Sequence, residues 1–138
     1  MSGETRTRGL IDTNIVIHLA ALNPAELPEE MVISAVTLAE LSAGPHHAAD
    51  AAERARRTSV LQHTEATFDP LPFDAEAARA FGLASAAVLM AGRKPRRRLA
   101  DLMIASVAIA NRLPLYTTNP DDFAGLADLV RVVAVRRP

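Results

Sequence analysis

Short apolar runs alternate along this chain with longer stretches of helical periodicity, and that alternation predicts the order of its elements. "RGLID" (8–12) reads as a buried strand, followed by a first helix over 15–22 that stops at Asn23-Pro24. In "MVISAVT", residues 31–33 form a second strand, and Ser34 is the N-cap of a helix over 36–43 that Gly44-Pro45 ends. Residues 46–62 are polar, alanine-rich and arginine-bearing, the pattern of an exposed amphipathic helix. "ATFDPLPFD" breaks it and offers a short strand interrupted by prolines. Asp74 then caps a helix that runs to about Met90, with Ala77, Ala80, Phe81, Ala84 and Val88 at helical spacing. Residues 99–111 are helical and apolar nearly all round, so that helix is expected to be buried. "LPLYTT" is a strand, "NPDDFAGL" a turn with a short helix, and "LVRVVAV" a last strand.

Strands separated by helices imply parallel pairing with helices on both faces. The expected fold is therefore a three-layer α/β/α sandwich with a short, mainly parallel central sheet. At 138 residues, with no repeat or linker, the expected organisation is a single domain over 1–138. Apolar residues are 49% of the chain and aromatics only 4%, which makes the expected core aliphatic and rich in helix formers. The absence of cysteine excludes disulfides, thiolate metal sites and a thiol nucleophile, and fits a reducing compartment. Residues 1–8 are polar without a signal-peptide core, and no apolar run approaches the roughly 20 residues of a membrane span. A cytoplasmic location without membrane contact is the expectation.

A net charge of −1 draws the chain as a whole to neither nucleic acid nor membrane. Local charge differs: Arg93, Lys94, Arg96, Arg97 and Arg98 crowd one stretch, and Arg131, Arg136 and Arg137 gather near the end. By itself such a run is a solvated loop, and only its position gives it interest.

In open parallel sheets, active groups gather at the carboxyl ends of the strands and the adjoining helix starts. Asp12 follows the first strand at once, and Asp121 and Asp122 follow "LYTT" by a few residues. Glu40 lies on the helix after the second strand with Thr37 one turn before it, and Asp101 opens the most apolar helix. Each acid has an ordinary explanation: N-capping for Asp12 and Asp101, a surface position for Glu40, a turn for Asp121-Asp122. Chemistry is favoured by their convergence from distant segments on one sheet edge. An oxygen-only cluster suits a hard cation such as Mg²⁺ or Mn²⁺. His18, His46, His47 and His63 fit no zinc spacing, and Tyr116 with four phenylalanines is too little for a base-stacking platform.

"LIDTN", "SAVTLAEL", "ADLMIAS" and "YTTNPDDF" occur in the order of the signature segments of the PIN domain, and the chain resembles the small VapC-type toxins of bacterial toxin–antitoxin pairs over essentially its whole length. The resemblance implies a PIN-like fold and a metal-dependent endoribonuclease, the toxin of a type II pair. It also implies a cognate antitoxin partner, an RNA substrate, a homodimer with higher assembly through the antitoxin, and DNA contact only through that partner. By position, Asp12, Glu40 and Asp101 match the first three family acids, and Asn119 stands where many members carry a fourth. Asp122, or its neighbour Asp121, is the nearby source of charge, and Asn14, Thr37 and Thr118 match the family's small supporting polar residues.

In the mechanism this implies, Asp12 and Asp101 hold Mg²⁺, with Mn²⁺ as the alternative, and Glu40 is a third ligand or an acceptor for water. Asp122 is a further candidate ligand. Arg96, Arg97 and Arg98 join directly to Asp101 and are candidate RNA contacts through phosphate. A competing use of the same basic rim is to seat an acidic segment of the antitoxin. Two other classes stand beside this reading. One is a catalytically impaired PIN-like module that only binds RNA or protein, which Asn119 keeps open and which needs no metal. The other is a haloacid-dehalogenase-type phosphohydrolase, which fails on motif spacing and on Asn14 in place of a second aspartate.

Overall fold

Four short strands pair in the order β2-β1-β3-β4, every pairing parallel, in a computed structural model that describes residues 7–138. The polar opening at residues 1–6 and the side chain of Arg97 lie outside the described residues. The strands are β1 (Arg8–Ile11), β2 (Glu30–Val32), β3 (Leu115–Thr117) and β4 (Val132–Ala134). The helices are α1 (Thr13–Ile17), α2 (Ala35–Ala43), α3 (Ala51–Thr67), α4 (Ala75–Met90) and α5 (Leu99–Ala110).

Side-chain alternation along the strands divides the interior in two. Leu10 pairs with Leu115 and packs with α4 and α5, through Ala84, Val88, Leu102 and Ile104. Ile11 pairs with Tyr116 and packs on the opposite face with Ile15, Val16 and Leu41. Helices thus cover both faces, the three-layer arrangement expected of a parallel sheet. Gly9 has a packing reason of its own, because a Cβ there would collide with the ring of Tyr116.

Several boundaries differ from the sequence reading. The first helix ends at Ile17 rather than 22, and a 3₁₀ turn, Leu19–Ala21, then brings the buried Leu22 onto the cluster that holds Ile15 and Val16. The third helix begins at 51 and continues to 67, not 46–62. Gly44–His47 is instead a separate 3₁₀ turn, and Asp50 caps α3 by accepting from the Glu53 N–H at 2.8 Å. "ATFDPLPFD" yields one bridge, Leu71 to Ser34, rather than a strand. The caps at Ser34 and Asp74 are as expected, accepting from the N–H groups of Thr37 and Ala77.

Among the described residues no helix is long and apolar enough to cross a membrane. The chain leaves β1 toward β2 on one side and later returns to β3 on the other. The gap between β1 and β3 is therefore the point where the winding reverses, and a ligand crevice belongs outside its carboxyl edge.

Candidate active site

Asp12 stands at that edge. Its N–H continues the ladder to the Tyr116 carbonyl at 2.9 Å, so strand pairing alone fixes its backbone. The residue is only 3% exposed, and isolated burial would strongly disfavour its charge. Three groups donate to its carboxylate: the Thr13 N–H (2.8 Å), the Thr117 hydroxyl (2.8 Å) and the Asn14 amide (3.2 Å). Asp12 is thus also the N-cap of α1, so the capping role and the site position coincide. Burial raises its pKa, the donors Thr117 and Thr13 oppose that rise, and the charges of Glu40 and Asp122 add to it.

Glu40 reaches the same region from α2. The Thr13 hydroxyl donates to its Oε1 at 2.6 Å, which leaves the Thr13 oxygen to accept from the buried Thr37 hydroxyl at 3.0 Å. From the β3 side, Thr117 accepts from the Asn119 N–H, and the Thr118 N–H donates to Asn14 Oδ1 at 3.3 Å. Thr118 therefore contributes backbone, whereas the hydroxyl on Asp12 belongs to Thr117, which the sequence reading passed over. Thr13 and Arg137 were passed over too. The Arg137 guanidinium donates to Asn119 Oδ1 at 3.1 Å, while the Asn119 amide donates to Asp122 at 2.7 Å. Both ends of Asn119 are occupied in bridging, so its oxygen faces an arginine.

Asp101 is the third residue of α5 and caps nothing. Among the described residues it accepts no hydrogen bond, and its one cationic neighbour is Arg98 at 4.0 Å. The start of a helix favours an anion, but burial and three other carboxylates outweigh that here. Burial acts first, then Asp12, Asp122 and Glu40, and the Asp101 pKa is pushed up to about 7 against the smaller opposing effect of Arg98. Arg98 is itself ion-paired to Asp122, the member of the acidic pair that acts on the site. Asp121 enters through its carbonyl, which accepts from Arg93 at 2.9 Å.

Asp12, Glu40, Asp101 and Asp122 therefore lie near enough to act on one another electrostatically, and among the described residues their ion pairs are with Arg98 alone. A divalent cation fits this donor set: the donors are oxygen throughout, and among the described residues Asp12 and Glu40 have no ion pair. Among the described residues no three acidic or histidine side chains already form a metal-coordinating set, so the fit rests on donor chemistry and charge. The histidines take no part: His18 ends α1, His46 and His47 lie in the turn before α3, and all four are exposed. Of the predicted basic contacts, Arg98 is at the site and Arg96 is exposed beside it.

Comparison with known proteins agrees with this architecture. The PIN domain pattern matches residues 10–129. Ribonuclease VapC5 of Mycobacterium tuberculosis is 36% identical over 135 residues, covering 96% of this chain and 97% of that protein. Ribonuclease VapC8 of the same organism is 32% identical, over 72% of this chain and 89% of that protein. Among solved structures, VapBC-5 of M. tuberculosis, a member of the VapBC family of toxin–antitoxin systems, aligns with a TM-score of 0.81 at 36% identity. That alignment covers 95% of this chain and 99% of the other. DNA-bound VapBC from Salmonella typhimurium shares the fold at a TM-score of 0.69 and 24% identity, over 93% and 97% of the two chains. These matches leave no place for the phosphohydrolase alternative: with its acids at the strand-end crevice and its relatives matching nearly end to end, the chain belongs to the PIN-domain family and is related to the VapC ribonucleases.

Proposed function

We propose that this chain, as one PIN-like domain over 1–138, is a divalent-metal-dependent endoribonuclease and the toxin of a type II toxin–antitoxin pair. The observation that carries the reading is the convergence of Asp12, Glu40, Asp101 and Asp122 at the crevice between β1 and β3, where burial first and the neighbouring carboxylates next raise the Asp101 pKa. PIN-domain ribonucleases generally depend on a divalent metal. Mg²⁺ is the ion proposed here, with Mn²⁺ able to replace it. When bound, the ion neutralises the scissile phosphate and makes water a better nucleophile.

The residues divide the remaining work. Asp12, immobilised by Thr13, Asn14 and Thr117, is the rigid ligand. Asp101 would be the second, holding the cation in its ionised form. Glu40, steadied by the Thr13 hydroxyl, is the third ligand or accepts a proton from water. Asp122, oriented by Asn119 and Arg98, supplies further charge, and Asn119 acts through it rather than as a ligand. Asn14, Thr37 and Thr118 hold the frame. Arg96, Arg97 and Arg98 contact RNA phosphates.

The partners proposed are RNA, a cognate antitoxin and a second copy of the chain, with a higher assembly and any DNA contact made through the antitoxin. The proposed location is the cytoplasm. The ribonuclease and antitoxin parts of this reading are supported by the relatives, ribonuclease VapC5 and the VapBC-5 toxin–antitoxin system. The test is digestion of total RNA by purified protein with Mg²⁺, with EDTA, and with Asp101→Asn. Metal-dependent cutting lost in the variant is expected. Binding without cutting under every condition would leave the non-catalytic module instead.

A further inference from the structure

Beside the carboxylates lies a cavity of about 330 Å³ whose charge is of the opposite sign. Its apolar lining is aliphatic, with the buried Val88 of α4 and Leu102 of α5 and the exposed Ala124. Its rim carries Arg93, Lys94 and Arg98, with Asp122 as the one acid, shared with the site already described. The rim is built rather than incidental. Just past the end of α4, Gly92 has φ +79° and the Arg93 N–H returns to the Val88 carbonyl at 3.0 Å, a left-handed helix stop that leads into the basic loop lining the cavity. The Arg93 guanidinium then ties that loop to the Asp121 carbonyl on the opposite wall.

Two features restrict the ligand. Arg98 is paired with Asp122, but Lys94 has no hydrogen bond or ion pair among the described residues, so the rim holds unanswered positive charge. The cavity also abuts the carboxylates directly, since Arg98 lines it and stands 4.0 Å from Asp101. A group bound there must be anionic at its edge, tolerate an apolar lining, and be continuous with whatever occupies the acid site. We propose that the cavity is a subsite for the single-stranded RNA nucleotide adjacent to the scissile phosphate, with Lys94 and Arg93 on its phosphate and its base lying over Val88, Leu102 and Ala124. This rests on the ribonuclease reading and extends it to residues outside the acidic cluster. The lining has no aromatic ring to stack on, so the subsite places the strand and excludes bulk rather than reading one base by its hydrogen-bonding edge.

The test uses the full chain and a short single-stranded RNA that it cleaves, with kcat and KM measured at several salt concentrations for Lys94→Ala and for Ala124→Trp, which fills the cavity. Lys94→Ala is expected to raise KM about tenfold with kcat within about twofold, and to lower the salt slope by about 0.7, the loss of one phosphate contact. Ala124→Trp is expected to raise KM with little change in that slope. Thermal melting of both variants checks that they are folded. Cleavage by the wild-type chain with KM and salt slope unmoved in both folded variants overturns the subsite alone. Weakened inhibition by the antitoxin with RNA KM unmoved also overturns it, and gives the cavity to the protein partner. No metal-dependent cleavage by the wild type overturns the ribonuclease reading, and the subsite with it.

Discussion

Asp12 and Asp101 are two carboxylates at one strand edge, and the fold treats them differently. Asp12 is nearly inaccessible yet surrounded by donors from Thr13, Asn14 and Thr117. Asp101 is more exposed yet, among the described residues, has no donor at all, only Arg98 at 4.0 Å. Burial is the largest cause of the raised pKa at both acids; what separates them is the set of donors that opposes it at Asp12 and is missing, among the described residues, at Asp101. One side chain is fixed before any ligand arrives, and the other is held in repulsion that a cation would relieve. On the proposed reading, Asp12 would be the rigid ligand and Asp101 the poised one, and cation binding would displace the Asp101 proton.

The largest expected effect comes from removing either charge. Asp12→Asn and Asp101→Asn should each lower RNA cleavage by about 10³-fold or more, read as kcat/KM. Their stabilities should separate. Asp12→Asn turns an amide toward the Asn14 donor and should cost about 1–2 kcal/mol in urea unfolding. Asp101→Asn removes repulsion and should leave the metal-free protein at least as stable at pH 8. Equal losses of stability in the two variants would break the comparison.

Next in size is Thr117→Val, which takes away a donor without touching a ligand. Metal affinity, read by calorimetry, should fall about 10- to 100-fold, as for outer partners of metal ligands. Unchanged affinity would mean that Asp12 is held by Thr13 and Asn14 alone.

The pH dependence is smaller and carries a sign. The folded Asp101 pKa of about 7 lies above its ordinary 3.8, so between those values the native state binds the extra proton. Stability of the metal-free protein from this group is greatest below about pH 4, declines as pH rises toward 7, and is level above. Asp101→Asn should flatten that decline in unfolding measured from pH 4 to 8. Metal affinity should move the opposite way, rising with pH until Asp101 is ionised. The smallest effect expected is from Thr13→Val, which frees Glu40: a few-fold loss of cleavage and about 0.5–1.5 kcal/mol of stability.

Much of this was legible along the chain because it depends on short-range pattern. Ser34 and Asp74 were recognisable as caps, since an N-cap is a local arrangement of side chain and backbone. Asp12, Glu40 and Asp101 were recognisable as candidates from where strands end and helices begin. Thr117 was not, because in "YTT" two adjacent threonines point to opposite sides of the strand and only the register of β3 against β1 selects one. The start of α3 was missed because Asp50 and Glu53 cap it from within a polar stretch that has no apolar onset. Arg137 was counted among the basic residues near the chain's end, but its bond to Asn119 spans 18 positions and no periodicity announces it.

The sequence by itself determined the alternation of strand and helix, the aliphatic core, the oxygen-only donor set and the basic stretch before α5, all consequences of residue type and local spacing. Tertiary structure alone decided that β1 and β3 adjoin where the winding reverses, that four acids share one field, and that Asp12 accepts from three donors while Asp101, among the described residues, accepts from none. It also decided that Lys94 lines a cavity and, among the described residues, has no ion pair. Those are matters of distance between segments far apart in the chain, and both electrostatic repulsion and hydrogen bonding depend on distance rather than on order.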